Sequence, residues 1–306
     1  MEDKLVGKKY KEENDMRRSI GKFHLAHIRV LAAAFGMALV SALMPSPSAA
    51  ASLEEIKKRG YMVVATEDNY PPFEFIQNGQ PAGLDHDLYQ LLKKWAGFEV
   101  RQEILPWQGL LAGVASGQFD VALSAATISE QRAQQFHFTM PIAEATHYYM
   151  KRKGDNRIKS IKDLSGLTLG TQQGSSIHQR LPEVEALLQK TGGKLGKVSL
   201  YASYVEAYQD LANGRIDYVL NSVVAISDAM RKRPNDFELG EAVVPIGYHA
   251  WAIKRGNKDL LEFINRFFVE QRKNGNLYKL QEKWIGKSFP ELPWEAKLPG
   301  NKPMPD

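Results

Sequence analysis

The 306-residue chain has no cysteine, which excludes disulfides, thiolate zinc sites and a lipidated N-terminal cysteine. It also lacks a strong charge imbalance. The formal charge is +5, and residues 1–51 carry eight Lys/Arg against five Asp/Glu, so about +2 remains on the rest. The overall pI of 9.1 therefore overstates how basic the working protein is. No Lys/Arg cluster is interleaved with aromatics, which leaves nucleic-acid binding without support. G-x-S-x-G, G-x-x-x-x-G-K-[ST] and H-E-x-x-H are all missing, and the seven histidines show no metal-ligand spacing. No catalytic residue, metal or cofactor is expected. The longest apolar stretch, Val30 to Met44, is short for a hydrocarbon core of roughly 30 Å.

That stretch has a different use. Arg17, Arg18, Lys22 and Arg29 precede it and "PSPSAAAS" follows, the n-region, h-region and small-residue cleavage site of a secretory signal peptide. Residues 1–51 are read as this leader, with Met16 a second candidate start beside Met1, cleavage near Ala51 and Ser52 as the mature N-terminus. The protein is expected to be exported and, without a lipid anchor, free in a periplasm.

The 306-residue chain as a whole has the 43% hydrophobic and 25% charged content of a soluble globular protein and is long enough for two domains. Ser52 and Glu55 form a capping box before a short helix stopped by Gly60. "YMVVAT" (61–66) reads as a buried strand, "LDHDLYQLLKKWAG" as an amphipathic helix, "FEVRQEIL" as a strand, "WQGLLAGVASG" as a helix and "FDVALS" as a strand. Asp85 and Asp87 read as the N-cap and first turn of their helix. The rhythm then repeats through "LTLGTQ", "KVSLYA", "YVEAYQDLANG" and "IDYVLN", and Trp107 to Ser124 aligns with Tyr204 to Asn221 without a gap. Two α/β lobes of similar plan are expected, each a mostly parallel sheet flanked by helices. "THYYMKRKG" (146–154) and "YHAWAIKRG" (248–256) look like paired crossover strands. The lobes are placed at 52–146 with 249–289 and at 147–248, followed by an extended or frayed tail over 290–306.

In open α/β sheets ligands bind beyond the carboxyl ends of the strands. Those ends are "EDNYPPF", "PWQG", "SAATISEQR", "QQGSS" and "NS". Arg132 stands in the first turn after Ser129, where the helix dipole disfavours a cation; a bidentate grip on a carboxylate and pairing with a surface Glu are both open. Ser175 and Ser176 open a helix after a flexible Gly, either as an ordinary cap or as a partner to Arg132 across a cleft. Tyr70 and Trp107 sit where they can sandwich a ligand or act as core lids, and Glu67 or Asp68 where either can meet a cation or only water.

With these residues together the sequence resembles the periplasmic solute-binding proteins of polar amino-acid ABC importers, over about residues 54–286. The resemblance is carried by "ATEDNYPPFEF", "GLDHDLYQLL", "PWQGLLAGVASGQFDVALSAATISEQRAQQFHFTMP", "IKSIKDLSGLTLGTQQGSS" and "NGRIDYVLN". It implies a type II fold of two lobes joined by two hinge strands, closing on a small ligand and docking on membrane permease subunits, with the protein a monomer. Carried onto this chain, it implies that Tyr70 stacks on the ligand and Trp107 lines the side-chain pocket. Ser124, Ala125 and Thr127 would contact the ligand, Arg132 would clamp an α-carboxylate, and Gln172, Ser175 and Ser176 would assist. Glu67 aligns where members selecting cationic side chains often have an acid. The departure is Ser222, where members binding α-amino acids usually place an Asp for the ammonium. Either Glu67 substitutes from the other lobe, or the ligand has a substituted, weakly charged or absent α-amine. The related cyclohexadienyl dehydratases carry an acid just past this strand, whereas Ser222, Val223, Val224 and Ala225 stand here. A periplasmic dehydratase or lyase, or a sensor for a membrane receptor, are the competing readings.

Overall fold

A computed structural model describes residues 51–305, and the expected leader lies outside the described residues. Ser52 caps α1 (Leu53–Arg59) in a full capping box, and Gly60, at φ 82°, ends it. Then follow β1 (Tyr61–Glu67), a small antiparallel ribbon of β2 (Asn69–Tyr70), β3 (Glu74–Gln77) and β4 (Gln80–Ala82), and α2 (Leu84–Trp95). Next come β5 (Glu99–Leu105), α3 (Trp107–Ser116), β6 (Val121–Thr127), the single turn α4 (Glu130–Ala133), β7 (Phe136–Phe138) and β8 (Ala143–Glu144). β9 (His147–Arg152) leads into β10 (Leu169–Gln172), α5 (Ser176–Gln179), α6 (Leu181–Gln189), β11 (Val198–Tyr201), α7 (Tyr204–Ala212), β12 (Tyr218–Ser222), α8 (Val223–Lys232) and β13 (Phe237–Ala242). β14 (Tyr248–Lys254), α9 (Lys258–Lys273) and α10 (Asn276–Ile285) complete the regular elements.

The two sheets share one plan. The first runs β5-β1-β6-β14-β7, with β8 also on β14; the second runs β11-β10-β12-β9-β13. In each, three parallel strands are followed by an antiparallel one: β14 beside β6, and β9 beside β12. β6 is buried along its whole length, as a strand covered on both faces must be. α9 buries Leu260, Phe263, Ile264, Phe267 and Phe268, the spacing of one helical face. Each such side chain contributes about 1.5–3 kcal/mol on leaving water.

Three expectations are corrected. The two crossover strands do not pair with each other, because β9 belongs to the second sheet and β14 to the first. The chain crosses between sheets in the short segments before them, which lie side by side: Ala145 N donates to Gly247 O at 2.8 Å, and Val243 N to His147 O at 2.9 Å. The N-cap of α2 is Gly83, not Asp85. Gly83 adopts φ 128°, and a Cβ there would stand 2.1 Å from the Phe73 carbonyl oxygen, so only glycine fits this approach. Asp85 is buried instead, accepting a 2.6 Å bond from Trp251 Nε1, while Asp87 takes Trp284 Nε1 and Lys283 Nζ. Finally, the segment after Pro290 is not frayed. Arg272 donates to the carbonyls of Pro290, Leu292 and Pro293 and lies 3.9 Å over the Trp294 ring. Gly300 N reaches Ile246 O, and Asn301 accepts from Tyr248 Oη at 2.6 Å, so the tail ends against the second crossover.

Among the described residues no helix is long and apolar enough to cross a membrane.

Candidate functional site

The carboxyl ends of β1, β6, β10 and β12 meet around one small cavity. From the first half of the chain Glu67, Tyr70, Trp107, Ala125, Thr127 and Arg132 line it; from the second come Gln172, Ser175 and Ser176. Nine of the eleven residues expected at the site are therefore brought together. Ser124 and Ser222 stand behind the wall. The Ser124 hydroxyl accepts from Glu67 N at 3.2 Å and so fixes the backbone that carries the Glu67 carboxyl. Ser222 is fully buried and caps α8, its hydroxyl accepting from Ala225 N at 3.3 Å and lying 3.4 Å from Tyr70 Oη.

The local backbone explains how β6 delivers its end to the cavity. Between Ala122 and Ala126 three residues of β6 oppose Trp251 alone on β14, an irregularity that lets the strand turn. Ala125 lies within it at φ 42°, a left-handed conformation uncommon for a residue with a Cβ. Thr127 follows, then Ser129, whose hydroxyl accepts from Arg132 N at 3.2 Å and starts α4 with Arg132 turned inward.

Three wall residues lie outside the expected set, His147, Tyr204 and Asn221, although the strand end "NS" that holds Asn221 was expected near the ligand. The internal repeat held two of them. Tyr204 is the image of Trp107, and each is the first residue of a helix entered from a strand exit; Asn221 is the image of Ser124. His147 has its counterpart in His249, each opposite the end of its sheet's third parallel strand, Ser222 and Thr127 respectively.

The cleft is closed by direct contacts. Gln172 Nε2 donates to Glu67 Oε1 at 2.6 Å, and Trp107 Nε1 and Arg132 Nη2 both donate to Gly174 O, at 3.0 and 3.1 Å. At the rim, Asn69 reaches Ser203 at 3.3 Å and Gln108 reaches the Ala202 carbonyl at 3.2 Å. These contacts link residues of the first sheet's loops to those of the second.

Arg132 is 4% exposed, yet no carboxylate among the described residues lies in ion-pair range of it. Its Nη1 donates to Thr127 O at 2.9 Å, its guanidinium stands 5.0 Å over the Trp107 ring, and its Nε is buried without a partner. Burial lowers its pKa to about 10, which still leaves it charged at neutral pH. Burial likewise raises the Glu67 carboxyl to about 8, with the Gln172 hydrogen bond opposing the shift. His147 is driven well below the usual imidazole range and His249 to about 3, both by burial, so both are neutral. No group of three or more His, Asp or Glu side chains among the described residues is placed to hold a metal. The arrangement presents one buried cation with donors free, one carboxyl group, hydroxyls and three aromatic rings: a recognition surface for a small polar solute.

The comparisons agree with this geometry. Residues 62–287 match the bacterial extracellular solute-binding proteins, family 3. The L-cystine-binding protein TcyJ of Escherichia coli (strain K12) is 31% identical over 267 residues, covering 86% of this chain and 97% of its own. An ancestral arginine-binding protein, solved bound to arginine, is 32% identical with a TM-score of 0.65, covering 74% of this chain and 99% of its own. The ancestral amino acid-binding protein AncCDT-1, a precursor of cyclohexadienyl dehydratase, is 29% identical with a TM-score of 0.67, over 76% of this chain and 99% of its own.

Proposed function

The chain belongs to the bacterial extracellular solute-binding proteins, family 3, and from that membership we propose that it is the substrate-binding component of an ABC importer, capturing an amino acid or amino-acid derivative by its carboxylate. The observation that carries this reading is Arg132: a buried guanidinium without a carboxylate partner, its Nε–H unused, facing a cavity between two sheets. A buried charge left unpaired costs several kcal/mol, and a ligand carboxylate offsets that cost with charge-assisted hydrogen bonds. Ser175 and Ser176 add hydroxyls from the opposite wall, while Tyr70, Trp107 and Tyr204 supply apolar faces for the rest of the solute.

Capture proceeds by population shift. The solute enters as Gln172 parts from Glu67 and as Trp107 and Arg132 part from Gly174. Contacts with both walls then favour the closed form, which is the form offered to the permease subunits. The protein works as an exported periplasmic monomer, delivered by its leader, and does no chemistry on the solute. A dehydratase on this scaffold is the second reading, favoured by the likeness to AncCDT-1 and by the proton that Glu67 retains near neutral pH.

Calorimetry against amino acids, their N-substituted derivatives and their decarboxylated amines separates these readings. The binding-protein account expects a carboxylate-bearing solute to bind and its decarboxylated counterpart to bind at least about tenfold more weakly, a loss of about 1.4 kcal/mol. Equal binding of the amine sinks the carboxylate grip. Turnover of prephenate or arogenate sinks the binding-only account.

A further inference from the structure

The cavity wall carries an unusually short list of charges. Arg132 is its one cation, and among the described residues that line it Glu67 is the one carboxyl group; His147, the remaining titratable base, is held neutral by burial. Asp68, next to Glu67 in the chain, acts on it by repulsion but does not line the cavity. The Asp228 carboxylate on α8 is already taken by Arg231 at 2.6 Å and Lys232 at 2.7 Å. The end of β12 is committed as well. The Asn221 amide donates to Tyr208 Oη at 2.7 Å, its oxygen accepts from Ser222 N at 2.7 Å, and the Ser222 hydroxyl caps α8. That corner of the cleft offers a cation no carboxylate.

Resting on the amino-acid-binding reading above, we propose that the cleft selects a solute with one carboxylate and one cationic group, Arg132 meeting the first and Glu67 the second. Dibasic solutes such as arginine and lysine, doubled ones such as cystine, and diacids are then discriminated against. The reason is desolvation. Each ligand charge enclosed between the sheets loses its water, and only a counter-charge or charge-assisted hydrogen bonds restore what was lost. One carboxyl group neutralises one cation. A second cation would be left to the aromatic faces, where cation–π attraction recovers only part of the cost, and the Trp107 ring already carries the Arg132 guanidinium. A second anion would face no second base.

Glu67 suits this role because its oxygen is held by the neutral Gln172 amide and not by a protein cation. Burial keeps the carboxyl protonated up to about pH 8 although the Arg132 charge opposes the shift; a ligand ammonium opposes it further and lets the carboxyl ionise.

Titration calorimetry of the wild-type protein against a matched set tests the count. Glutamine, methionine, leucine and phenylalanine carry one charge of each sign; arginine, lysine, cystine and glutamate carry more. The tightest binder should come from the first group and exceed every member of the second at least tenfold. Glu67→Gln, with its melting temperature checked alongside, should weaken that binder at least tenfold. Arginine, lysine or cystine binding as tightly as the best of the first group would overturn the charge count while leaving the amino-acid reading intact. An unchanged affinity in Glu67→Gln would overturn the assignment of Glu67. Binding of no amino acid at all would overturn both readings together.

Discussion

The third parallel strand of each sheet ends at the cavity, and the two ends are put to different uses. β6 is prolonged by its irregularity at Ala125 to Thr127, and its cap falls to Ser129, two residues further on, so that Arg132 is carried inward. β12 stops at Ser222, which is itself the cap of the following helix and has no side-chain reach to spare. The antiparallel neighbours differ in the same way. His249 lies opposite Thr127 with its Nδ1 3.3 Å from the Thr127 hydroxyl, whereas His147 lies opposite Ser222 but turns its Nε2 to Ser176 at 3.1 Å. One fold unit thus yields a charged exit in the first sheet and a neutral one in the second. The scaffold is repeated; the recognition chemistry is not.

The sharpest way to break this contrast is to charge the neutral exit. Asp is a good N-cap, so Ser222→Asp keeps α8 capped while bringing a carboxylate next to Tyr70 Oη. Arginine and lysine should then gain at least about tenfold in affinity, roughly 1.4 kcal/mol. Unchanged affinities would show that position 222 does not reach the solute in either form.

Protonation probes the histidine side of the same contrast. The folded-state pKa of His249 is depressed to about 3 by burial, against about 6.5 when exposed. Its stabilising contribution is therefore complete above pH 6.5 and is lost as pH falls toward 3, because the unfolded chain takes up a proton that the fold refuses. At pH 5 the loss is about 2 kcal/mol, several degrees in melting temperature for a domain of this size. The drop in melting temperature from pH 7 to pH 5 should be smaller in His249→Gln than in the wild type. An identical drop would mean that His249 accepts the proton within the fold.

Much of this was legible in the sequence because it rests on local rules. The capping box at Ser52, the glycine exits of α1 and α3 and the burial of β6 follow from residue type and spacing. The alignment of Trp107–Ser124 with Tyr204–Asn221 carried the shared sheet plan, and it also held Tyr204, the image of Trp107. The parts that escaped depend on long-range partners. Asp85 looks like a cap until Trp251, 166 residues away, claims it. The proline-rich tail looks frayed because its anchor, Arg272, lies a helix earlier and binds carbonyl groups that no side-chain pattern reveals. Ser222 counted as a site residue by position alone; that its hydroxyl is spent on α8 depends on where the helix starts.

The central claim is that Arg132 meets the ligand carboxylate in the closed cleft. A thermodynamic cycle tests it most directly: the best-bound amino acid and its carboxamide, each titrated into the wild type and into Arg132→Met. The account predicts that the wild type loses at least about a hundredfold on passing from carboxylate to amide, close to 3 kcal/mol, and that Arg132→Met loses almost nothing further on the same change. Equal losses in both proteins would place the carboxylate elsewhere and contradict the account.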